Sequence, residues 1–280
     1  MINLLDRIDA YLLEKESVGR KREAHWASDA AACKRQLFYK WTGAAITNPT
    51  TAGGIWKMRM GDGIHSMVHE FLTKSGLQVM DEISLRLGPE ITGLKRPLSG
   101  RIDNVFEEPG TNDLAEIEVK SGYGAGIRAI KAGGPKREHL IQALVYLKWG
   151  GLARCHLVYV ARDDGYRCEF IMEYDSINDV LYLHDGGRKW ASDLTYAEIH
   201  ARLAAVEDAV ESGKLPERDF WQAIKNGEYR DDFQKDKVKY RSNWQCSYCG
   251  FRDACWDAVK AATPEGDNLA MRGQDDEADE

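Results

Sequence analysis

The stretch "LSGRIDNVFEEPGTNDLAEIEVKS", residues 98–121, decides how the rest of the chain is read. Two largely apolar runs flank "EPGTND", whose Pro, Gly, Asn and Asp mark a turn, so the spacing predicts two strands joined by a short connection. In the second run Glu116, Glu118 and Lys120 alternate with Ile117 and Val119. Period-two geometry puts the charged set on one face and the apolar set in the core. Asp103 arrives from the first strand, and an aspartate beside a glutamate offers hard oxygen ligands to Mg²⁺ or Mn²⁺. A lysine next to such a metal can hold or deprotonate the attacking water, which is what phosphodiester hydrolysis requires. Taken alone, an aspartate followed by Glu-x-Lys describes a salt-bridged, solvated sheet face better than a site, because short charged patterns recur by chance.

The flanking sequence adds to the set. "IWKMRMGDGIHSMVHEFLTKSG" (55–76) has helical spacing that ends at Gly76 and carries Gly61 and His65, with His69 a rival for the role of His65. "DEISLRLG" reads as a strand ahead of the other two. A Gly-rich connection, "GYGAGIRAIKAGG", leads to the helix "PKREHLIQALVYLKW", with Pro135 at the first position and Gln142 and Tyr146 one turn apart on one face. Polar residues on an otherwise apolar face need partners, and a metal site in the adjacent sheet would supply them. "RCHLVYVARDDGYRCEFIMEYD" is a hairpin turned at Asp164-Gly165. Residues from about 175 to 225 read as amphipathic helix, and "LLDRIDAYLLEKE" and the segment after it as N-terminal helices, the second of them holding Cys33. The order predicts a mixed α/β core with an outer lobe made from both termini.

Composition sets the context. The formal charge of the 280 residues is −7, but residues 265–280 hold seven acids and one arginine, leaving about −1 for the remainder. That acidic tail is expected to be disordered. No apolar run approaches the roughly 20 residues that span a bilayer, so the chain is expected to be cytoplasmic, where clustered cysteines favour metal over disulfide. "WQCSYCGFRDACW" (244–256) gives Cys246-x2-Cys249-x5-Cys255, three thiolates where a tetrahedral ion or a cubane cluster needs four. Cys33, Cys155 and Cys168 are the candidates for the fourth. The last two lie in the hairpin strands, where a free cysteine usually behaves as a small hydrophobe. The aromatics Trp244, Tyr248, Phe251 and Trp256 are expected to pack as a cage around the thiols.

Taken in order, G-x3-H, G-x-I-D, E-x-K and Q-x3-Y resemble the motifs of the PD-(D/E)XK nuclease superfamily, RecB-like branch, over about residues 55–175. The resemblance implies that His65, Asp103, Glu118 and the Val119 carbonyl bind a catalytic Mg²⁺ or Mn²⁺. It implies that Lys120 orients the water, and that Gln142 and Tyr146 hold the metal shell or the DNA backbone. "CKRQLFYKWTG" and "CSYCGFRDAC" are similar to the segments with which the AddB nuclease domain and CRISPR-associated RecB-like exonucleases hold a [4Fe-4S] cluster. That implies Cys33, Cys246, Cys249 and Cys255 as its ligands; spacing by itself would favour structural zinc.

The expected organisation is therefore an N-terminal part of the iron–sulfur lobe (1–50), a nuclease core with a mixed central sheet flanked by helices (51–175), C-terminal helices with the cysteines (176–263) and the tail (264–280). The expected activity is a divalent-metal-dependent DNA exonuclease acting on single-stranded or frayed ends in recombination, repair or end processing, with any helicase or recombination or CRISPR partner a separate chain. An inactive DNA-end-binding protein on the same fold, or a zinc-stabilised endonuclease, are the alternatives. Arg101, Arg128, Lys131, Lys136 and Arg137 form an expected positive patch near the site, and Arg20, Lys21 and Arg22 a second one. Tyr39, Trp41 and Trp221 are aromatics of the lobe that could stack bases or belong to its core.

Overall fold

The computed structural model describes residues 3–16, 22–77, 79–235 and 237–262; the acidic tail, Arg20 and Lys21 lie outside these. In chain order the elements are α1 (Leu4–Glu16), β1 (His25–Trp26), α2 (Lys34–Thr42), α3 (Ala52–Lys74), β2 (Val79–Leu87), α4 (Pro89–Thr92), β3 (Leu98–Glu107), β4 (Leu114–Gly122), α5 (Gly124–Gly133) and α6 (Arg137–Trp149). They continue as β5 (Arg154–Ala161), β6 (Arg167–Asp175), β7 (Val180–Asp185), β8 (Arg188–Ala191), α7 (Tyr196–Ser212), β9 (Ala223–Lys225), β10 (Glu228–Arg230), β11 (Asp232–Lys235), β12 (Val238–Arg241), α8 (Trp244–Ser247) and α9 (Arg252–Ala262). Two compact units result. One comprises Glu23–Ala31 and Gly53–Ala204, the other the described parts of Met1–Arg22, Ala32–Ala52 and Ala205–Glu280. Among the described residues no helix is long and apolar enough to cross a membrane.

The first unit is a mixed sheet in the order β1-β3-β4-β5-β6-β7-β8, with β2 on the other edge of β3. On one face Phe106, Ala115, Ile117 and Val119 are buried under Ile64, Val68 and Leu72 of α3. On the other, α5 and α6 pack against β5 and β6. Helix α6 buries Leu140, Ile141, Ala143, Leu144, Val145, Tyr146 and Leu147, so both faces of the central strands are covered. Strands β4 and β5 run parallel, with Glu118 opposite Leu157.

The pairing of β3 contains a break. Strand β2 pairs along one edge from Leu98 to Phe106. The opposite edge is paired by β1 at Leu98 and Ser99 and by β4 from Asn104 to Glu107. Gly100 to Asp103 therefore have no strand partner on that side.

Several elements differ from the sequence expectation. The "Gly-rich connection" is helix α5: burial of Ile127 and Ile130, and an N–H bond from Gly124 to Asp163 Oδ1 (2.7 Å), offset the roughly 1 kcal/mol that each glycine costs a helix. Pro135 lies ahead of the N-cap Lys136 and not at the first helical position of α6. Cys33 caps α2 from outside it. Residues 180–191, expected helical, form the hairpin β7–β8, turned by Gly186 and Gly187, both at positive φ. The charged stretch before the cysteines holds two more β-ribbons, one turned by Asn226-Gly227 (φ 51° and 70°).

On the outer strands Glu173 accepts hydrogen bonds from Arg154 Nε (3.0 Å) and Lys189 Nζ (2.8 Å) and lies 3.1 Å from His184 Nε2. The Lys189 bond, with those from Arg154 and His184 behind it, outweighs the opposing cost of burial and pulls the Glu173 carboxyl down to about 2. A depressed carboxyl pKa contributes stability that is full above the ordinary value near 4.5 and is lost as pH falls towards 2. Glu173→Gln is accordingly expected to lower Tm at pH 7, with the difference from the unsubstituted protein closing between pH 4.5 and 2 in a thermal-melt series. A constant difference across that range would contradict the assignment.

Candidate active site

The break in the β3 edge is filled by side chains. Tyr146 on α6 sends its hydroxyl into it, donating to Arg101 O (3.0 Å) and accepting from Arg101 N (3.2 Å), so the two backbone groups that lack a strand partner are satisfied. The close approach requires Gly100: a Cβ there would lie 2.4 Å from Tyr146 Cε1. Two residues on, Asp103 Oδ2 accepts the Val119 N–H (3.0 Å) and lies 3.2 Å from His65 Nδ1. The carboxylate thus stands in for a missing ladder bond.

On β4, Lys120 Nζ bonds to Glu118 Oε1 and to Gln142 Oε1 (3.0 Å), and Gln142 Nε2 reaches Tyr146 Oη at 3.5 Å. Two contact groups result, His65 with Asp103 and Glu118 with Lys120, Gln142 and Tyr146, and they are joined through the backbone of Val119, whose N–H Asp103 accepts. His69 is not part of it; its Nδ1 is 2.7 Å from Asn104 Oδ1 on the α3 side of the sheet.

The charged face of β4 is not solvated. Glu116 and Glu118 are both 0% exposed, which overturns the reading of a salt-bridged surface and of a core on one side only. Burial, more than any neighbour, raises the pKa of Glu118, although Lys120 opposes it. Burial raises Glu116 still further, with the Glu118 charge adding to it. Burial works against the Lys120 ammonium, but Glu118, with Asp103 and Glu116, carries its pKa above the usual value. The hydrogen bond to Asp103 is the main reason that His65 is raised, against its burial. His139, one turn before Gln142, is pushed down to about 3 by burial and by the charges of Lys120 and Lys136.

Glu118 Oε2 and both Glu116 oxygens are buried, and the groups that meet them are the other carboxyl of the pair and the Cys155 thiol beside Glu116. An uncompensated carboxylate oxygen in a dry site is costly, and a hard cation is one species that removes the cost. The donor chemistry of His65, Asp103 and Glu118 fits such a cation. As the side chains stand, each is engaged with another protein group, and among the described residues no three His, Cys, Asp or Glu side chains converge on a point that would hold a metal ion. Glu116, opposite Cys155 in the β4–β5 register, belongs to the charged set that alternation predicts, although the motif resemblance assigns it no role. Its signal was the same alternation that places Glu118.

The expected positive patch is largely neutralised. Arg101 pairs with Glu82 (3.4 Å), Arg128 with Asp164 (2.7 Å), Lys131 with Asp185 (3.8 Å) and Arg137 with Asp193 (2.9 Å). The acids come from other strands and turns, which is why a local count of charges missed them.

In the second unit Cys33, Cys246, Cys249 and Cys255 line one pocket, together with Tyr39, Phe251 and Trp256. Asn48 Nδ2 donates to Cys249 O (3.0 Å), and Thr47 N and Asn48 N both donate to Gly250 O (2.9 Å). Lys34 pairs with Asp219 (3.0 Å), so the segments flanking Cys33 are tied to the C-terminal cysteines. Arg218 Nε points at Cys255 Sγ (3.3 Å) while its guanidinium lies 4.1 Å from the centre of the Trp256 ring. Burial, followed by the charges of the three other thiols, pushes Cys246 up to about 12. The expected aromatic cage is only half present: Phe251 and Trp256 are buried, whereas Trp244 and Tyr248 are exposed and contact each other edge to face. Of the lobe aromatics, Tyr39 packs on Phe251, Trp41 carries the Arg22 guanidinium, and Trp221 N donates to Asn243 Oδ1. Cys155 is buried in β5, and Cys168 lies in β6.

No family model and no curated protein matches the chain. Among solved structures, the crystal structure of SSO0001 aligns with 87% of this chain and 94% of its own, at 16% identity and a TM-score of 0.48. The alkaline exonuclease LHK-Exo from Laribacter hongkongensis aligns with 73% of this chain and 94% of its own, at 17% identity and a TM-score of 0.45. LHK-Exo in complex with dAMP aligns with 75% and 94%, at 18% identity and a TM-score of 0.40.

The Gly100–Tyr146 contact yields a direct test. Gly100→Ala overpacks a buried contact, so it is expected to destabilise the protein by about 1–3 kcal/mol in urea unfolding. Gly100→Ala combined with Tyr146→Ala should recover part of that loss relative to the sum of the single substitutions. Strict additivity would separate the two residues.

Proposed function

We propose that this chain is a divalent-metal-dependent nuclease of the PD-(D/E)XK type, RecB-like branch, acting on DNA ends. The observation that carries the reading is the break in the β3 ladder, beside which Asp103 meets His65 and the Val119 N–H while Lys120 meets Glu118 and Gln142, next to two fully buried acids, Glu116 and Glu118. His65, Asp103, Glu118 and the Val119 carbonyl would hold Mg²⁺ or Mn²⁺. When bound, the ion polarises the phosphate and makes a water more acidic. Lys120, fixed between Glu118 and Gln142, is placed to orient that water and to face the charge that develops on phosphorus. Gln142 and Tyr146 hold the lysine and the β3 backbone in register.

The reading extends to a [4Fe-4S] cluster on Cys33, Cys246, Cys249 and Cys255. Four thiols lining one pocket, each from a segment held by its own hydrogen bonds, support a bound group. Around one zinc ion, with bonds of about 2.3 Å, four sulfurs would sit only about 3.8 Å apart. A cluster with its own sulfides accepts thiolates set wider than a single ion does.

Two outcomes test the two halves separately. Glu118→Gln and Lys120→Ala should each reduce Mg²⁺- or Mn²⁺-dependent degradation of end-labelled single-stranded DNA by at least about 100-fold, with the circular dichroism spectrum retained; activity that survives both substitutions places the chemistry elsewhere. Protein purified without oxygen should be brown and carry roughly four irons per chain, and Cys33→Ala should strip most of that iron. Colourless protein with one zinc would overturn the cluster.

A further inference from the structure

Tyr123 is 60% exposed, although it immediately follows a buried strand. It stands three residues after Lys120 in sequence, one residue past the end of β4. Its backbone serves the fold, since Tyr123 is the N-cap of α5 and its carbonyl accepts from Ile127 N (3.0 Å). Its ring contributes nothing to a core.

The ring is nevertheless held. The Arg162 guanidinium lies 5.3 Å from its centroid. Arg162 in turn donates from Nη1 to Lys57 O on α3 (2.9 Å) and from its backbone N to Gly122 O (2.8 Å). Arg162 Nε is buried with no hydrogen-bond acceptor, so the electron-rich ring is the surface that this part of the guanidinium meets. The ends of β4 and β5 and the helix that carries His65 are thereby fastened around an exposed aromatic. Gly61 on the same helix sits over Ser121, 3.5 Å from its Oγ at the position a Cβ would take.

We propose that the Tyr123 ring, backed by Arg162, is a stacking platform for a nucleobase of the strand whose phosphate enters the site of Asp103, Glu118 and Lys120. The inference rests on the nuclease reading above and adds a contact to the base. An aromatic held by two torsions loses little entropy on binding and accepts any base, which suits a site that must move along a strand. Stacking also fits the electrostatics: Arg128, Lys131 and Arg137 are already paired with Asp164, Asp185 and Asp193, so affinity for a strand cannot rest on those charges alone.

The test uses a labelled 20-nucleotide oligothymidylate and two versions of it whose terminal nucleotides, at one end or the other, lack bases. Tyr123→Ala is expected to raise KM, and the Kd measured in Ca²⁺, roughly tenfold on the intact oligonucleotide, with the loss falling on KM more than on kcat. Tyr123→Trp should bind as tightly as the unsubstituted protein. On the oligonucleotide abasic at the end that is degraded, the difference between tyrosine and alanine should largely vanish. Equal KM and Kd for Tyr123→Ala on the intact strand, with the unsubstituted protein active, would overturn the stacking role alone, as would an equal loss on the abasic strand. An unsubstituted protein that neither binds nor degrades any of the three would overturn the nuclease reading, and the stacking role with it.

Discussion

The site depends on an unfinished ladder. Backbone N–H and C=O groups buried in a sheet must be paired, and a strand edge left open for four residues leaves groups that something else must satisfy. Along Gly100–Asp103 the partners are a phenol and a carboxylate in place of a strand. This requirement explains residue identities that alternation alone does not. Gly100 is needed because the phenol must lie against bare backbone. Asp103 is short enough to reach the neighbouring strand's N–H while keeping its remaining lone pairs free, and its position next to Glu118 follows from the same register. The opening that costs the sheet its hydrogen bonds is also the space in which the charged groups meet.

Those charges are costly where they are. Glu116 and Glu118 lie side by side with no exposure, and Lys120 pairs with Glu118. Removing a charge from water costs several kcal/mol, and a single ion pair rarely offsets more than part of it. A fold with nothing to gain from acids at these positions would be more stable with apolar residues of similar size, because α6 already brings leucines and valines to the same face. The arrangement makes sense as a preorganised site, in which the protein's own lysine and histidine hold the carboxylates in geometry.

Much of this was legible in the sequence, for reasons that can be named. The β3–β4 pair, α3 and α6 carry strong periodicity, and the polar residues that break it at 65, 103, 118, 120, 142 and 146 are those that the structure links. What escaped was non-local. Helix α5 was hidden by its glycines because its compensation comes from Asp163, on a different turn. The β7–β8 hairpin was hidden because "VLYLHD" is too short for its period to be distinguished from helix, although the two glycines after it were a turn signal. Asn226-Gly227 was a stronger hairpin signal still, lost within a run of charges. The basic residues were misread because each ion-pair partner is more than fifteen residues away in sequence. Charge patterns read locally describe a denatured chain better than a folded one.

The cysteine-bearing unit poses the opposite problem, since almost all of its cohesion is long-range. Its described segments enclose most of the sheet unit in sequence, so Cys33 and Cys246 come together only after roughly two hundred residues have been placed between them. Closing a loop of that length costs chain entropy, which is met by two backbone bonds to Gly250, a pair between Lys34 and Asp219, a few side chain–carbonyl bonds and the burial of Leu37, Phe38, Phe251 and Trp256. A covalent or coordinate link across such a loop removes on the order of 5 kcal/mol of unfolded-chain entropy in the loop-closure model. A group ligated by all four thiols would also relieve the mutual repulsion and burial that keep Cys246 protonated. On this argument a cluster at the cysteines would act first as a staple. Arg218, bonded to Cys255 Sγ and to its carbonyl and packed on Trp256, ties that thiol to the protein around it.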